Sequence, residues 1–194
     1  MIAGVVAYRY DYYPYKRNIV DIIPGIEYRK AKDLFARLNA GARFLNRLSR
    51  RELLSTFDLN NQYYDFNLNR VDLLHLFNGI SYGRIPWVST FETILPRFRS
   101  VIQRTHSLSP GYDQHIYPRR AFDCLAGGAC KQLIALSEST ANMQRALLAD
   151  FSKYQEIVGA KIVVMHPPQD ALVDRFEDKQ IDVSGRLKFM LVGN

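Results

Sequence analysis

Short apolar runs alternating with longer amphipathic stretches constrain this chain more than any other feature. Val71-Asp72-Leu73-Leu74-His75-Leu76-Phe77, closed by Asn78-Gly79, reads as a strand. Trp87-Val88-Ser89-Thr90-Phe91 reads as another, entered through Pro86, which suits the first residue of a strand. Leu133-Ile134-Ala135-Leu136 is a third, and Lys161-Ile162-Val163-Val164-Met165, ended by His166-Pro167-Pro168, is a fourth. Residues 2–8 supply an earlier strand. Ser137 is a natural N-cap for a helix that sets Met143, Leu147, Phe151 and Tyr154 on one face, at spacings of four, four and three. Apolar strands of this length, joined by helices, predict an α/β fold. The form expected is a three-layer Rossmann-like domain with a mainly parallel sheet.

Composition excludes several classes. At 47% hydrophobic and 23% charged, the chain is ordinary globular material. No run reaches the length of a spanning helix, and residues 1–7 lack the basic region of a signal peptide. Cys124 and Cys130 have the spacing of neither a zinc pair nor a redox pair, which predicts reduced thiols in a cytoplasmic protein. No His/Asp/Glu grouping has metal-ligand spacing, and no cofactor motif is present. His75 lies among apolar neighbours as a core histidine would, and His106 and His115 have no partner spacing.

The net charge of +7 is unevenly spread. Residues 27–54 read as one helix, bent or split at Gly41, with Leu34, Leu38, Leu45 and Leu48 on one face. Arg29, Lys32, Arg43, Arg47 and Arg50 lie opposite. Such a helix either lies solvated on the surface or is drawn to an acidic lipid surface or a phosphate-bearing acceptor. That leaves peripheral membrane contact open. Nucleic acid is not expected, since no recognition motif accompanies the charge.

The order of these motifs resembles one family. Leu133 to Glu138 followed by a helix, then Lys161 to Pro168, is similar to the close of the N-terminal domain of GT-B-fold glycosyltransferases. These nucleotide-sugar-dependent enzymes are built from two facing Rossmann-like domains. Val71 to His75 is similar to the family's strand ending near the acceptor, and Pro86 to Glu92 to its strand that usually ends in histidine. Two departures stand out. Glu92 takes the place of that histidine, and a loop carrying Tyr10, Tyr12, Tyr13 and Tyr15 replaces the Gly-Gly turn after the first strand. The resemblance implies an acceptor-side domain over residues 1–182. Residues 183–194 would be a linker and the first strand of a second, donor-side domain, with Phe189, Met190, Leu191 and Val192 as its opening core strand. It further implies transfer of a sugar from a nucleotide sugar to a glycan or lipid-linked acceptor, with no activity from this chain alone. The alternative is a non-catalytic Rossmann-like binding or partner-chain module.

In open α/β sheets ligands bind beyond the carboxyl ends of the strands. On this reading Glu92 is the candidate catalytic residue, orienting an acceptor hydroxyl or taking its proton. It competes with a plain role as a carboxylate at a helix N-terminus. Tyr12, Tyr13 and Lys16 would hold a glycan or phosphorylated acceptor, or else form a tyrosine-rich surface. Asn78, Gly79, Thr93, Ser137 and Glu138 complete the expected substrate-binding set, Ser137 serving also as a helix cap.

Overall fold

The computed structural model describes residues 1–6, 19–20, 22–102 and 116–166, with the backbone alone at 116 and 117. Tyr12, Tyr13, Lys16, His106, His115, Pro167-Pro168 and the 183–194 segment lie outside the described residues. The chain is α/β, with a six-stranded sheet flanked by helices in the manner of a Rossmann-like three-layer fold. Its strands are β1 (Ile2–Val6), β2 (Glu27–Ala31), β4 (Leu73–Phe77), β6 (Trp87–Phe91), β7 (Cys130–Ala135) and β8 (Ile162–Val164), in the order β2-β1-β4-β6-β7-β8. Every neighbouring pair is parallel. A two-residue strand β3 (Gln62–Tyr63) pairs with β5 (Ile80–Ser81) in a small second sheet.

From β1 the chain goes one way to β2, then jumps back across β1 to β4 and continues in one direction to β8. The order therefore reverses once, between β1 and β4, which is where an α/β sheet opens a crevice at its carboxyl edge. β1 and β4 approach closely at Gly4. A Cβ there would meet Leu74 Cδ2 at 3.0 Å and Val71 Cγ2 at 3.2 Å.

The two-residue period of the strands sorts their side chains. Leu74, Leu76, Trp87, Phe91, Leu133, Ala135 and Ile162 join one buried cluster with residues from three helices. These are α4 (Ile116–Ala126), through Ala121, Phe122 and Leu125, then α5 (Glu138–Ala149), through Ala141 and Leu148, and α6 (Ser152–Gly159), through Tyr154 and Val158. Phe122 packs on Phe151 at 4.3 Å between ring centroids and stacks on Tyr154 at 5.4 Å. Each large side chain so buried contributes about 1.5–3 kcal/mol. His75 points to the other sheet face and is indeed a satisfied core residue. Its Nε2 lies 2.8 Å from Thr90 Oγ1, its Nδ1 lies 3.3 Å from Tyr28 Oη, and its ring stacks on Phe77.

Two sequence expectations need correction. Residues 27–54 are not one helix. Glu27–Ala31 forms the edge strand β2, in register with β1 from Ile2↔Glu27 to Val6↔Ala31. An edge strand tolerates charge, and here Glu27 accepts from Arg29 Nε at 2.7 Å. The helix α1 spans Leu34–Ser49 unbroken through Gly41. It starts where Asp33 caps the Phe35 and Ala36 N–H groups, and stops at Arg50 in the left-handed conformation. Its leucines do not face the core, since Leu38, Leu45 and Leu48 are exposed. The expected 143–147–151–154 stripe is also not one helix face. α5 ends at Asp150, Phe151 opens α6, and Met143 is exposed, while Ala141, Gln144 and Leu148 are buried. A short helix α2 (Thr56–Asn60), capped by Ser55, and a turn α3 (Arg99–Ile102) complete the described elements.

Asp33 joins β2 to α1 and is buried. Besides the two capping bonds it accepts the Tyr64 N–H at 3.2 Å. Burial pushes its carboxyl up to about 6 from 3.8, with Asp65 nearby adding to the rise, while the three N–H donors pull it down. The folded state thus holds the Asp33 proton more tightly than the unfolded chain does. Its stabilising contribution is full below about pH 3.8 and is lost as pH rises through about 6, a span on the order of 2–3 kcal/mol. Asp33→Asn should flatten the stability profile across that window in urea titrations. An unchanged slope in the variant would contradict this account of Asp33.

Candidate functional site

Asn78 ends β4 with a left-handed backbone, φ 56°, a conformation that asparagine tolerates better than most residues. This turns the chain from β4 into β5 and directs the Asn78 side chain toward β6. Its backbone N–H donates to Thr90 O at 2.8 Å. Its Oδ1 accepts the Glu92 N–H at 3.1 Å, and its Nδ2 donates to Glu92 Oε1 at 3.1 Å. One buried amide therefore holds both the backbone and the carboxylate of Glu92 at the carboxyl end of the adjacent strand.

Arg97 Nη1 reaches the same Glu92 Oε1 at 3.3 Å, with side chains 19% and 32% exposed. The Arg97 guanidinium in turn lies 5.6 Å over the Phe57 ring. A pair this sheltered is screened less than a surface ion pair. Glu92 Oε1 thus takes both contacts, and Oε2 carries no hydrogen bond among the described residues.

The 92–98 segment is tied to α5 at two points. Thr140 Oγ1 donates to Glu92 O at 3.0 Å, and Ser137 Oγ accepts the Thr140 N–H at 3.1 Å. Further along, the buried Gln144 brackets Leu95. Its Oε1 accepts the Leu95 N–H at 2.6 Å and its Nε2 donates to Leu95 O at 2.8 Å. Within this frame Thr93 Oγ1 and Arg97 Nε are buried without a hydrogen-bond partner among the described residues.

The ends of three neighbouring strands therefore converge. Asn78, Glu92 and Ser137 belong to one hydrogen-bonded network, and Thr93 adjoins it. Ser137 caps α5 as expected. Gly79 lies beside the network, but its carbonyl accepts from the buried Ser89 Oγ at 2.8 Å and so serves the core. Glu138 stands exposed in the first turn of α5. Glu92 is not a helix N-terminal carboxylate: its partners are the Asn78 amide and Arg97, and α3 begins only at Arg99. Sequence reasoning missed Arg97, Thr140 and Gln144. For Gln144 a signal existed, since a polar residue shares the buried helical stripe of Ala141 and Leu148.

The chain matches no protein-family profile, no curated protein and no solved structure.

A cavity of about 470 Å³ opens at the opposite, amino-terminal ends of β6 and β7, bordered by Trp87, Gly127, Gly128 and Lys131 among others. Ligands of open α/β sheets bind at the carboxyl ends, so the network around Glu92 is the better candidate site despite that cavity. Cys124 and Cys130 are free thiols, and burial raises both above the usual thiol range, which makes them poor nucleophiles. Among the described residues no group of three or more His, Cys, Asp or Glu could hold a metal ion.

Gln144 makes a direct test of how this site is held. Gln144→Leu leaves the Leu95 N–H and C=O buried without partners, at about 2–4 kcal/mol. The urea midpoint should fall accordingly, and amide exchange should accelerate first along 92–98. A variant as stable as wild type would show that the bracket does not hold the segment.

Proposed function

We propose that this chain is the acceptor-side domain of a GT-B-type glycosyltransferase, which moves a sugar from a nucleotide-sugar donor to a glycan or lipid-linked acceptor. The observation that carries this reading is Glu92. Its carboxylate is fixed through Oε1 by Asn78 and Arg97, with Oε2 left for a hydroxyl, at the carboxyl rim of β6, whose neighbour β4 borders the topological reversal. The order of strand and helix motifs, and the net charge of +7 toward phosphate-bearing molecules, support it as well.

In the proposed reaction an acceptor hydroxyl donates a hydrogen bond to Glu92 Oε2. As the hydroxyl oxygen bonds to the anomeric carbon, its proton passes to the carboxylate. The bond from that carbon to the diphosphate oxygen breaks, and the diphosphate leaves with the electron pair. A carboxylate held at one oxygen contributes by orientation as much as by basicity, because the acceptor need not organise it. Ser137 stands at the neighbouring strand end, where further hydroxyls would bind. Stabilisation of the leaving diphosphate falls to a donor-side domain, either continuous with this chain or on a separate one. Tyr12, Tyr13 and Lys16 remain proposed contacts to a glycan or phosphorylated acceptor.

Radiolabelled nucleotide sugars, offered with candidate acceptors to the chain alone and together with a donor-side domain, test the proposal. Transfer should require the donor-side domain. Glu92→Gln should lower kcat by about 10²- to 10⁴-fold. Robust turnover by the isolated chain, or full activity in Glu92→Gln, would overturn the assignment. Saccharide binding without transfer under any pairing would favour the non-catalytic module.

A further inference from the structure

α1 is built the wrong way round for a helix that only packs on its own protein. The side it presents inward sets Asn39, Asn46 and Ser49 beside Phe35, which packs on Tyr82, and Ala42. Asn39 and Ala42 are buried, and Asn39 Nδ2 donates to Thr56 O at 2.8 Å and to Asn60 Oδ1. Asn46 fastens the following loop. Its Nδ2 donates to Leu54 O at 2.8 Å, and its Oδ1 accepts the N–H groups of Leu53 and Leu54 at 2.8 and 3.1 Å. The outward side is apolar instead, with Leu38 48%, Phe44 67%, Leu45 46% and Leu48 74% exposed. At 100° per residue these four, with Leu34, fall within an arc of about 120°. The loop held by Asn46 sets Leu53 and Leu54 out as well, at 61% and 47%.

Charge selects the occupant of this face. From Leu34 to Arg51 the chain carries Arg37, Arg43, Arg47, Arg50 and Arg51, all exposed, and no Asp or Glu. The nearest downstream acids are already engaged. Glu52 is bidentate to Arg99 at 2.6 and 2.8 Å, and Asp58 accepts the Arg99 N–H at 2.7 Å. Arg37 lies within the apolar arc, and Arg47, with Arg43 beyond it, lies along one side of it. A second copy of the chain laid on this face would bring two sets of guanidiniums together, which opposes a dimer. An apolar stripe with one cation within it and others along one side matches the interface of an anionic bilayer, where alkyl groups enter the acyl boundary and guanidiniums meet lipid phosphates. No described helix is long and apolar enough to cross a membrane, so the contact would be peripheral.

We propose that α1 and the Leu53-Leu54 loop dock this protein on an anionic lipid surface, the polar face of α1 staying locked to the domain. The inference rests on α1 and its loop and is independent of the transfer reaction.

Co-sedimentation of the full chain with vesicles of phosphatidylcholine alone, and of phosphatidylcholine mixed with phosphatidylglycerol, tests it. Binding should be at least about tenfold stronger to the anionic vesicles and should weaken as salt is raised. Leu45→Gln with Leu48→Gln should abolish binding without lowering Tm, since both positions are exposed. Arg37→Gln with Arg47→Gln should remove the preference for anionic lipid. In Phe44→Trp, emission should shift to the blue only with anionic vesicles, which reports insertion at that position. Absence of binding, equal binding to both vesicle types, or binding indifferent to the leucine pair would overturn the proposal. So would a dimer in light scattering that the leucine pair dissolves, because a second copy would then be the occupant.

Discussion

The two-way hydrogen bonding between Asn78 and Glu92 is the contact on which the carboxyl rim depends. Strand ends in a parallel sheet are held together by their ladders, and the loops beyond them have no ladder partner of their own. Asn78 supplies one. Its left-handed backbone sends the chain from β4 into β5, and its amide captures Glu92 by both backbone and side chain. Arg97 can then reach the same carboxylate oxygen, and Thr140 and Gln144 bind the segment to α5. Three loops that sequence places far apart become one surface with a directed carboxylate.

Much of the sheet was legible because buried parallel strands are short apolar runs. Trp87–Phe91 coincides with its expected span, and the strand read at 71–77 begins two residues later, at Leu73. Ser137 caps its helix as its type and place predict. β2 was not legible, because an edge strand with Glu27, Arg29 and Lys30 lacks the apolar run and adjoins a true helix. The helical period of α1 was readable, but period alone says nothing about which face turns inward. The asparagines decide that, through bonds to Thr56, Asn60 and Leu54 that exist only in the folded chain. At the site, Asn78, Glu92 and Ser137 could be named because each follows a strand. Arg97 and Thr140 could not, since their roles come from tertiary contacts across irregular backbone.

The candidate site and the exposed face of α1 are structurally connected. α1 begins at Asp33, just past the carboxyl end of β2, and Phe57 of the neighbouring α2 packs under Arg97. The two proposals are separable by experiment.

Chemical-shift mapping of the isotopically labelled chain, titrated with oligosaccharides and sugar phosphates, addresses the central claim most directly. The account predicts that the perturbed signals cluster at Asn78, Glu92 to Arg97 and Ser137 to Thr140. Perturbations centred on Trp87, Gly127 and Lys131 at the opposite end of the sheet, or none with any saccharide, would contradict it.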